Sequence, residues 1–177
     1  AGVINVITRG PTEEFEVGTE ITLTDDDQEK FSGWVSGPLT DNLGYRISAF
    51  HDELDGWVDN LATGDETNGS TIWGVNTRLD WQATDTLDLQ FQVRYDDSDS
   101  ECCSSPQRFY EDPQSAQVLV FLPLTEVNPE IIPFVGDDND TVNVDDPTDV
   151  ESDGYQLSLR ATWDVMEHSL VSITAYN

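Results

Sequence analysis

Apolar and polar residues alternate along most of the chain, and this is the period of a β-strand with one apolar and one polar face. The alternation recurs in segments 15–23, 28–39, 43–49, 73–81, 87–95, 155–163 and 169–177. It is weaker in the second segment, where Gly33, Gly37 and Pro38 interrupt it, and in the last one. Because helical periodicity is nearly absent, the pattern predicts an all-β protein with about seven antiparallel strands.

Apart from 43–49, the predicted strands are about 9–13 residues long, whereas strands of soluble sheets usually have about five or six residues. About 9–11 residues suffice to cross an outer membrane when the strand is tilted. Trp73 and Trp81 lie eight residues apart on an apolar face, as do Tyr155 and Trp163, so each pair is separated by about 26 Å. Membrane barrels carry aromatic rows at both edges of their apolar band. The spacing fits such a barrel, although a soluble β-sandwich with its aromatic residues in the core has the same pattern.

The connections between the predicted strands alternate in length. Short, turn-rich connections lie at 39–42, 83–86 and 165–168, and long ones lie at 53–70 and 98–151. On the long side only the first connection is brief. Membrane barrels join their strands by short turns on one side and by long loops on the other, so this alternation favours a transmembrane β-barrel.

Four segments resemble TonB-dependent outer-membrane receptors. The opening AGVINVITRGP is similar to the strand that ends the plug domain of this family. Val35–Phe50 is similar to the second barrel hairpin, Asp55–Asn60 (DGWVDN) to the D-G-Y/W-x-x-N element after it, and His168–Asn177 to a later strand of iron-complex receptors. The four segments follow the family's order, so the chain is identified by resemblance as a receptor of the iron-complex (siderophore) type.

The resemblance implies a barrel of about 22 strands closed around a plug. Residues 1–12 would be the last plug strand and its linker, and 13–177 the first part of the barrel, with 98–151 as a long acidic extracellular loop. The N-terminus has neither an initiator Met nor a leader pattern and is therefore expected to be a cut end. About seven strands of such a barrel are expected to form an open, curved sheet.

The resemblance also implies a function. Receptors of this family take up a scarce solute, most often a ferric siderophore, across the outer membrane of Gram-negative bacteria. The TonB complex acts on the N-terminal region and transmits energy from the inner membrane. Such a receptor makes no covalent bond, so neither enzymatic activity nor a cofactor is expected. The implied partners are the extracellular solute, the TonB complex, outer-membrane lipid and lipopolysaccharide.

On this interpretation the polar strand faces line the lumen and the apolar faces contact lipid. The expected lumen-facing residues are Glu16, Glu20, Arg46, Arg78, Arg94 and Arg160. The expected lipid-facing and aromatic-row residues are Trp73, Trp81, Leu89, Tyr95, Tyr155 and Trp163. A charged side chain facing lipid at mid-depth costs about 2–4 kcal/mol, so the position of all four arginines on the polar side is informative. Leu89→Arg is expected to impair assembly, and Gln90→Arg is not.

The 177 residues include 36 acidic and 7 basic side chains, which gives a formal net charge of −29. Such a polyanion repels phosphate backbones, so no nucleic-acid partner is expected. Residues 96–153 hold 16 of the acids and one basic residue, Arg108. This acidic loop could attract cations, bridge lipopolysaccharide through Ca²⁺ or Mg²⁺, or keep the surface solvated.

Neither a metal site nor a catalytic site is predicted. Residues 149–154 (DVESDG) resemble the start of an EF-hand, but Arg160 stands at position twelve, where a bidentate Glu is needed. Residues 137–140 (DDND) are expected to form a turn rather than a cation site. Cys102 and Cys103 are adjacent, which makes a disulfide between them difficult; a structural link within the loop is expected in preference to a metal site.

Two soluble alternatives remain open on the residues alone. One is an acidic all-β hydrolase with paired carboxylates, and the other is a secreted β-sandwich that binds carbohydrate. With only His51 and His168 and no Gly-framed serine, a serine or metal catalytic centre is poorly supported. Carboxylate pairs carry little information in so acidic a chain.

Overall fold

The structure is a computed structural model that describes residues 8–25, 27–106, 136–144 and 148–177. These residues form ten strands and no helix, which confirms the predicted all-β class. The strands are β1 (Glu16–Leu23), β2 (Gln28–Thr40), β3 (Leu43–Leu54), β4 (Val58–Asn60), β5 (Glu66–Thr67), β6 (Ser70–Thr84), β7 (Leu87–Cys102), β8 (Thr141–Val142), β9 (Thr148–Val165) and β10 (His168–Tyr176). Among these residues there is no helical segment of the length and hydropathy needed to cross a membrane.

Seven strands form one antiparallel sheet in the order β1-β2-β3-β6-β7-β9-β10, as the alternation predicted. The sheet is open, with β1 and β10 as its edges. Two-residue turns at 41–42, 85–86 and 166–167 join strands at one end of the sheet, which we call the turn end. The longer connections lie at the opposite, loop end. There the predicted loop 98–151 is too long, because β7 continues to Cys102 and β9 begins at Thr148.

The strand register gathers the apolar residues on one face. In one row across four central strands, Tyr45 lies opposite Leu79, Leu79 opposite Phe91, and Phe91 opposite Leu159. A slip of one residue in any pairing would turn the apolar residues of that strand to the other side. The alternation in the sequence therefore specifies the register as well as the strands.

The seven-stranded sheet is a single layer. Among the described residues the buried hydrophobic side chains are Val58 and Val142, and both belong to the small sheet described next. Large apolar side chains along the main sheet are exposed, including Ile21 at one edge, Val75 on the central strand β6 and Leu170 at the other edge. Globular proteins rarely expose a continuous apolar face of this kind unless another surface covers it.

A second, three-stranded sheet lies among the connections of the loop end, in the order β5-β4-β8. β4 pairs antiparallel with β5 and parallel with β8. The sheet thereby joins the connection between β3 and β6 to a distant part of the connection between β7 and β9. The alternation of apolar and polar residues does not predict this sheet.

Candidate functional site

The apolar face carries every residue that was expected to contact lipid. Trp73, Trp81, Leu89, Tyr95, Tyr155 and Trp163 all lie on it. Trp81 and Trp163 lie toward the turn end, and Leu89 is the cross-strand partner of Trp81. Trp73, Tyr95 and Tyr155 lie toward the loop end. The aromatic residues therefore form two separate rows with mainly aliphatic residues between them.

The loop-end aromatic row is held by contacts among its own side chains. The Trp73 and Tyr95 ring centroids are 5.2 Å apart, and those of Tyr155 and Tyr176 are 5.8 Å apart. The indole Nε1 of Trp73 donates a hydrogen bond of 3.1 Å to Asp97 Oδ1. The Trp73 ring thus lies on the apolar face while its N–H group binds a carboxylate near the charged loop end. This arrangement is typical of a boundary between apolar and aqueous surroundings.

The polar face carries every residue that was expected to line the lumen. Glu16, Glu20, Arg46, Arg78, Arg94 and Arg160 all lie on it. Arg46 and Arg78 are direct cross-strand neighbours, an arrangement that is unfavourable for like charges. Each has another partner: the Arg46 guanidinium lies 4.1 Å from the Trp34 ring centroid, and Arg78 makes two hydrogen bonds of 2.8 Å to the Asp80 carboxylate.

The other two arginines lie in more open parts of the polar face. Arg94 Nε donates to Asp96 Oδ1 at 2.8 Å, and both side chains are largely exposed. Arg160 lines an open cleft of about 790 Å³ at the turn end, together with Asp80 and Gln90. The polar face thus carries guanidinium, carboxylate and amide groups along an open cleft. This composition suits contacts with polar protein segments and with water.

Residues Thr8–Thr12 form an extended segment, which we call the strap, across the polar face. Arg78 Nη1 donates to the carbonyl oxygen of Thr8 at 3.0 Å. The Thr12 amide donates to Ser36 Oγ at 2.9 Å, and Ser36 is 0% exposed. The N-terminal part of the chain therefore approaches the sheet on the polar side rather than on the apolar side.

Two asparagines of the β3–β6 connection hold the connection between β7 and β9. Asn60, 1% exposed, donates to the carbonyl of Val144 at 2.9 Å and accepts from the Val144 amide at 3.0 Å. Asn68 makes the same reciprocal pair with Ser104, at 2.8 and 2.9 Å. Asn60 is the last residue of the DGWVDN element. Through this buried side chain the element holds the segment after β8 against β4, which stabilises the small sheet.

Acidic residues face each other on β7 and β9 at the loop end. The register pairs Asp97 with Asp153, Asp99 with Glu151, and Glu101 with Asp149. Like charges directly opposite each other destabilise a sheet. This part of the sheet therefore depends on its backbone hydrogen bonds and on screening by solvent ions.

Salt is accordingly expected to stabilise the loop end selectively. Raising NaCl from about 10 mM to about 1 M shortens the Debye length from about 30 Å to about 3 Å. We expect severalfold slower amide hydrogen exchange at 97–101 and 149–153, and little change at 87–93, where no two like charges face each other across β7 and β9. Equal responses in both parts of β7 would contradict the proposed repulsion.

The opposite margin of the loop end contains an ion pair. Lys30 Nζ lies 2.9 Å from Asp52 Oδ2, and Gln28 Nε2 donates to Asp52 Oδ1 at 2.8 Å. Asp52 thus accepts from two donors on β2, and the cluster joins β2 to β3 at this margin.

The structure corrects the expectation for the cysteines. Cys102 and Cys103 form a disulfide with each other, at the point where β7 ends.

Residues 137–138 lie in a turn, and the buried Asn139 accepts hydrogen bonds from the Thr141 amide and hydroxyl. In the part of the chain that the structure describes, no group of three or more His, Cys, Asp or Glu residues is arranged to hold a metal ion.

The strap, Ser36 and the two asparagine clamps were not predicted as parts of a site. Asn60 belongs to the DGWVDN element and Ser36 to the Val35–Phe50 segment, both of which the resemblance singled out, whereas Asn68 had no signal in the sequence. Within the long acidic connection the sequence has an apolar run, residues 118–124, whose prediction as a lid or small hairpin concerns residues outside the described part of the chain. Most of the plug segment 1–12 also lies outside it.

Compared with protein-family models, with curated proteins and with solved structures, the chain shows no match.

Proposed function

We propose that the chain is part of an outer-membrane receptor of the TonB-dependent type, which takes up a scarce extracellular solute such as a ferric siderophore. The observation that carries the proposal is the uncovered apolar face that continues across seven antiparallel strands between two aromatic rows. In a barrel this face contacts lipid, and no edge is left unpaired once further strands close the sheet.

The polar face supports the same proposal. It carries the arginines and also receives the strap, so the chain before β1 lies on the side that a barrel would enclose. In a receptor with a plug, the connection from plug to barrel must run on this inner side. A soluble sandwich would instead cover its apolar face with a second layer, and the described residues provide none.

The two ends of the sheet support an orientation. Three two-residue turns lie at one end, and the loop end carries the small sheet and the paired acids. Membrane barrels place short turns on the periplasmic side and longer loops outside. The loop end is therefore the extracellular side of the proposed receptor, and the solute reaches the protein there.

Uptake in cells tests the proposal. Cells that carry the full-length protein are given radioactive iron bound to hydroxamate or catecholate siderophores, with and without a functional TonB complex. We expect uptake of at least one complex, lost without the TonB complex and without the protein. Recovery of the protein in the soluble fraction would contradict the proposal and favour the secreted β-sandwich, whether carbohydrate-binding or hydrolytic.

Tryptophan fluorescence tests which face contacts lipid. Variants of the full-length protein that retain Trp81 or Trp163 as their only tryptophan are reconstituted with lipids brominated along the acyl chains. We expect strong quenching of both, because their side chains are exposed on the apolar face. Trp57, exposed in a loop-end connection, is the matched control and is expected to be quenched weakly. Equal quenching of all three would count against the lipid-facing assignment.

A further inference from the structure

The strap carries the chain from the middle of the sheet to its edge. Its first residue, Thr8, is bound by Arg78 on β6, which is the fourth of the seven strands. Pro11 then lies against Gly44 of β3, and Thr12 is bound by Ser36 of β2. The chain finally enters β1, an edge strand in this sheet that is paired with β2 alone. The strap thus contacts three adjacent strands in succession.

Glycines beneath the strap and the start of β1 allow the chain to approach the sheet closely. A Cβ atom at Gly44 would lie 2.7 Å from Cβ of Pro11, and one at Gly37 would lie 3.0 Å from Cα of Phe15. Real Cβ contacts are essentially never shorter than 3.0 Å, so a side chain at Gly44 would displace the strap. Ser36 uses its hydroxyl group in both directions, since it accepts from Thr12 and donates to the Tyr45 carbonyl at 3.0 Å.

Arg78 is aligned for its contact with the strap by Asp80. Nε and Nη2 of Arg78 are both bound to the Asp80 carboxylate, and this fork directs Nη1 to the Thr8 carbonyl. Arg94 and Asp96 on β7 repeat the same spacing on the same face with a single 2.8 Å hydrogen bond. The Arg94 side chain is 53% exposed and that of Arg78 only 15%. Asp80 is therefore a positioning residue for the Arg78 contact.

We propose that the strap is a mechanical stop, which holds the chain from Thr8 onward on the sheet while the chain before it is displaced. This inference rests on the proposed function, in which force reaches the protein through its N-terminal region. Without the strap, a pull from the N-terminus would act first on the start of β1 and on its hydrogen bonds to β2. With the strap in place, the pull is borne first by Arg78 on β6, so β1 is loaded only after the strap has been removed.

Single-molecule pulling from the N-terminus of the full-length protein, held in a lipid bilayer, tests the stop. In the wild-type protein we expect a force step when the extended chain reaches Thr8. In the double variant Arg78→Gln, Ser36→Ala this step should vanish, because both hydrogen-bond partners of the strap are gone. The amide of Thr12 should exchange about tenfold faster, because it loses its acceptor, Ser36 Oγ. Arg94→Gln is the matched control and should keep the step. A wild-type protein without the step, or a double variant that retains it, would overturn the proposal.

A further variant keeps the test decisive if the double variant does not assemble. Gly44→Ala leaves Arg78 and Ser36 intact but should displace Pro11 and weaken the step. An undiminished step in this variant would contradict the contact between Pro11 and Gly44. Pulling requires neither solute nor the TonB complex. A step without uptake would therefore refute only the proposed function, and uptake without a step would refute only the stop.

Discussion

Replacing Leu159 by arginine is expected to remove most of the folded protein from the outer membrane. Leu159 lies midway between Tyr155 and Trp163 on β9, is 43% exposed, and has Phe91 as its cross-strand neighbour. On the proposed orientation this is the middle of the apolar band. An arginine facing lipid there costs about 2–4 kcal/mol, whereas on the exposed surface of a soluble sheet the change would stay within about 0.5 kcal/mol.

Two companion variants make the effect specific for depth and for face. Leu89 lies opposite Trp81, near the edge of the apolar band, where placing an arginine in contact with lipid costs only about 0–1 kcal/mol. Leu89→Arg should therefore impair assembly less than Leu159→Arg. Gln90→Arg lies on the polar face between Asp80 and Arg160 and should leave the yield unchanged. The measurement is heat-modifiable protein in outer-membrane fractions. Equal yields of the three variants would show that lipid does not contact this face.

The second large effect is expected at Asn60. Asn60→Asp removes the amide that donates to the Val144 carbonyl and places a carboxylate in a site that is 1% exposed. The loss of that hydrogen bond and the unpaired carbonyl together cost about 1–3 kcal/mol. We therefore expect the small sheet to open, with about 10- to 100-fold faster hydrogen exchange at the amides of Leu61 and Val144, which it protects.

The neighbouring residue supplies the control for this prediction. Asp59→Asn makes the reverse chemical change one position earlier, at an exposed side chain of the same strand. It should leave the exchange rates unchanged, because the β4–β8 pairing uses the backbone of Asp59 and not its side chain. Similar exchange in the two variants would mean that Asn60 does not hold the loop connections together.

Much of the fold was predictable because one periodic pattern determines both the strands and their faces. Leu159 and Arg160, adjacent in sequence, fall on opposite faces as the alternation requires. The extension of β7 through Asp97–Cys102 was not predictable from local preference, since Asp and Ser are uncommon in strands. It exists because the backbone of β9 pairs with it over the same length, and such a partner is invisible in a local pattern.

The candidate site was less predictable, because its contacts join residues far apart in sequence. Asn60 meets Val144 across 84 positions, and Arg78 meets Thr8 across 70. Neither contact has a periodic signature, and both bind backbone atoms, which any residue type provides. The disulfide between Cys102 and Cys103 was judged difficult from geometry alone, whereas the structure accommodates it where the strand ends.

Asn68 and Asn60 bind Ser104 and Val144, which lie near the two ends of the long connection between β7 and β9. Both asparagines belong to the short connection between β3 and β6. The distance between Ser104 and Val144 is therefore set by that short connection and not by the residues between them. Lengthening a flexible connection costs little entropy, about 0.6 kcal/mol per doubling. Insertions between residues 106 and 136 should therefore leave both attachment points, and the pairing of β7 with β9, in place.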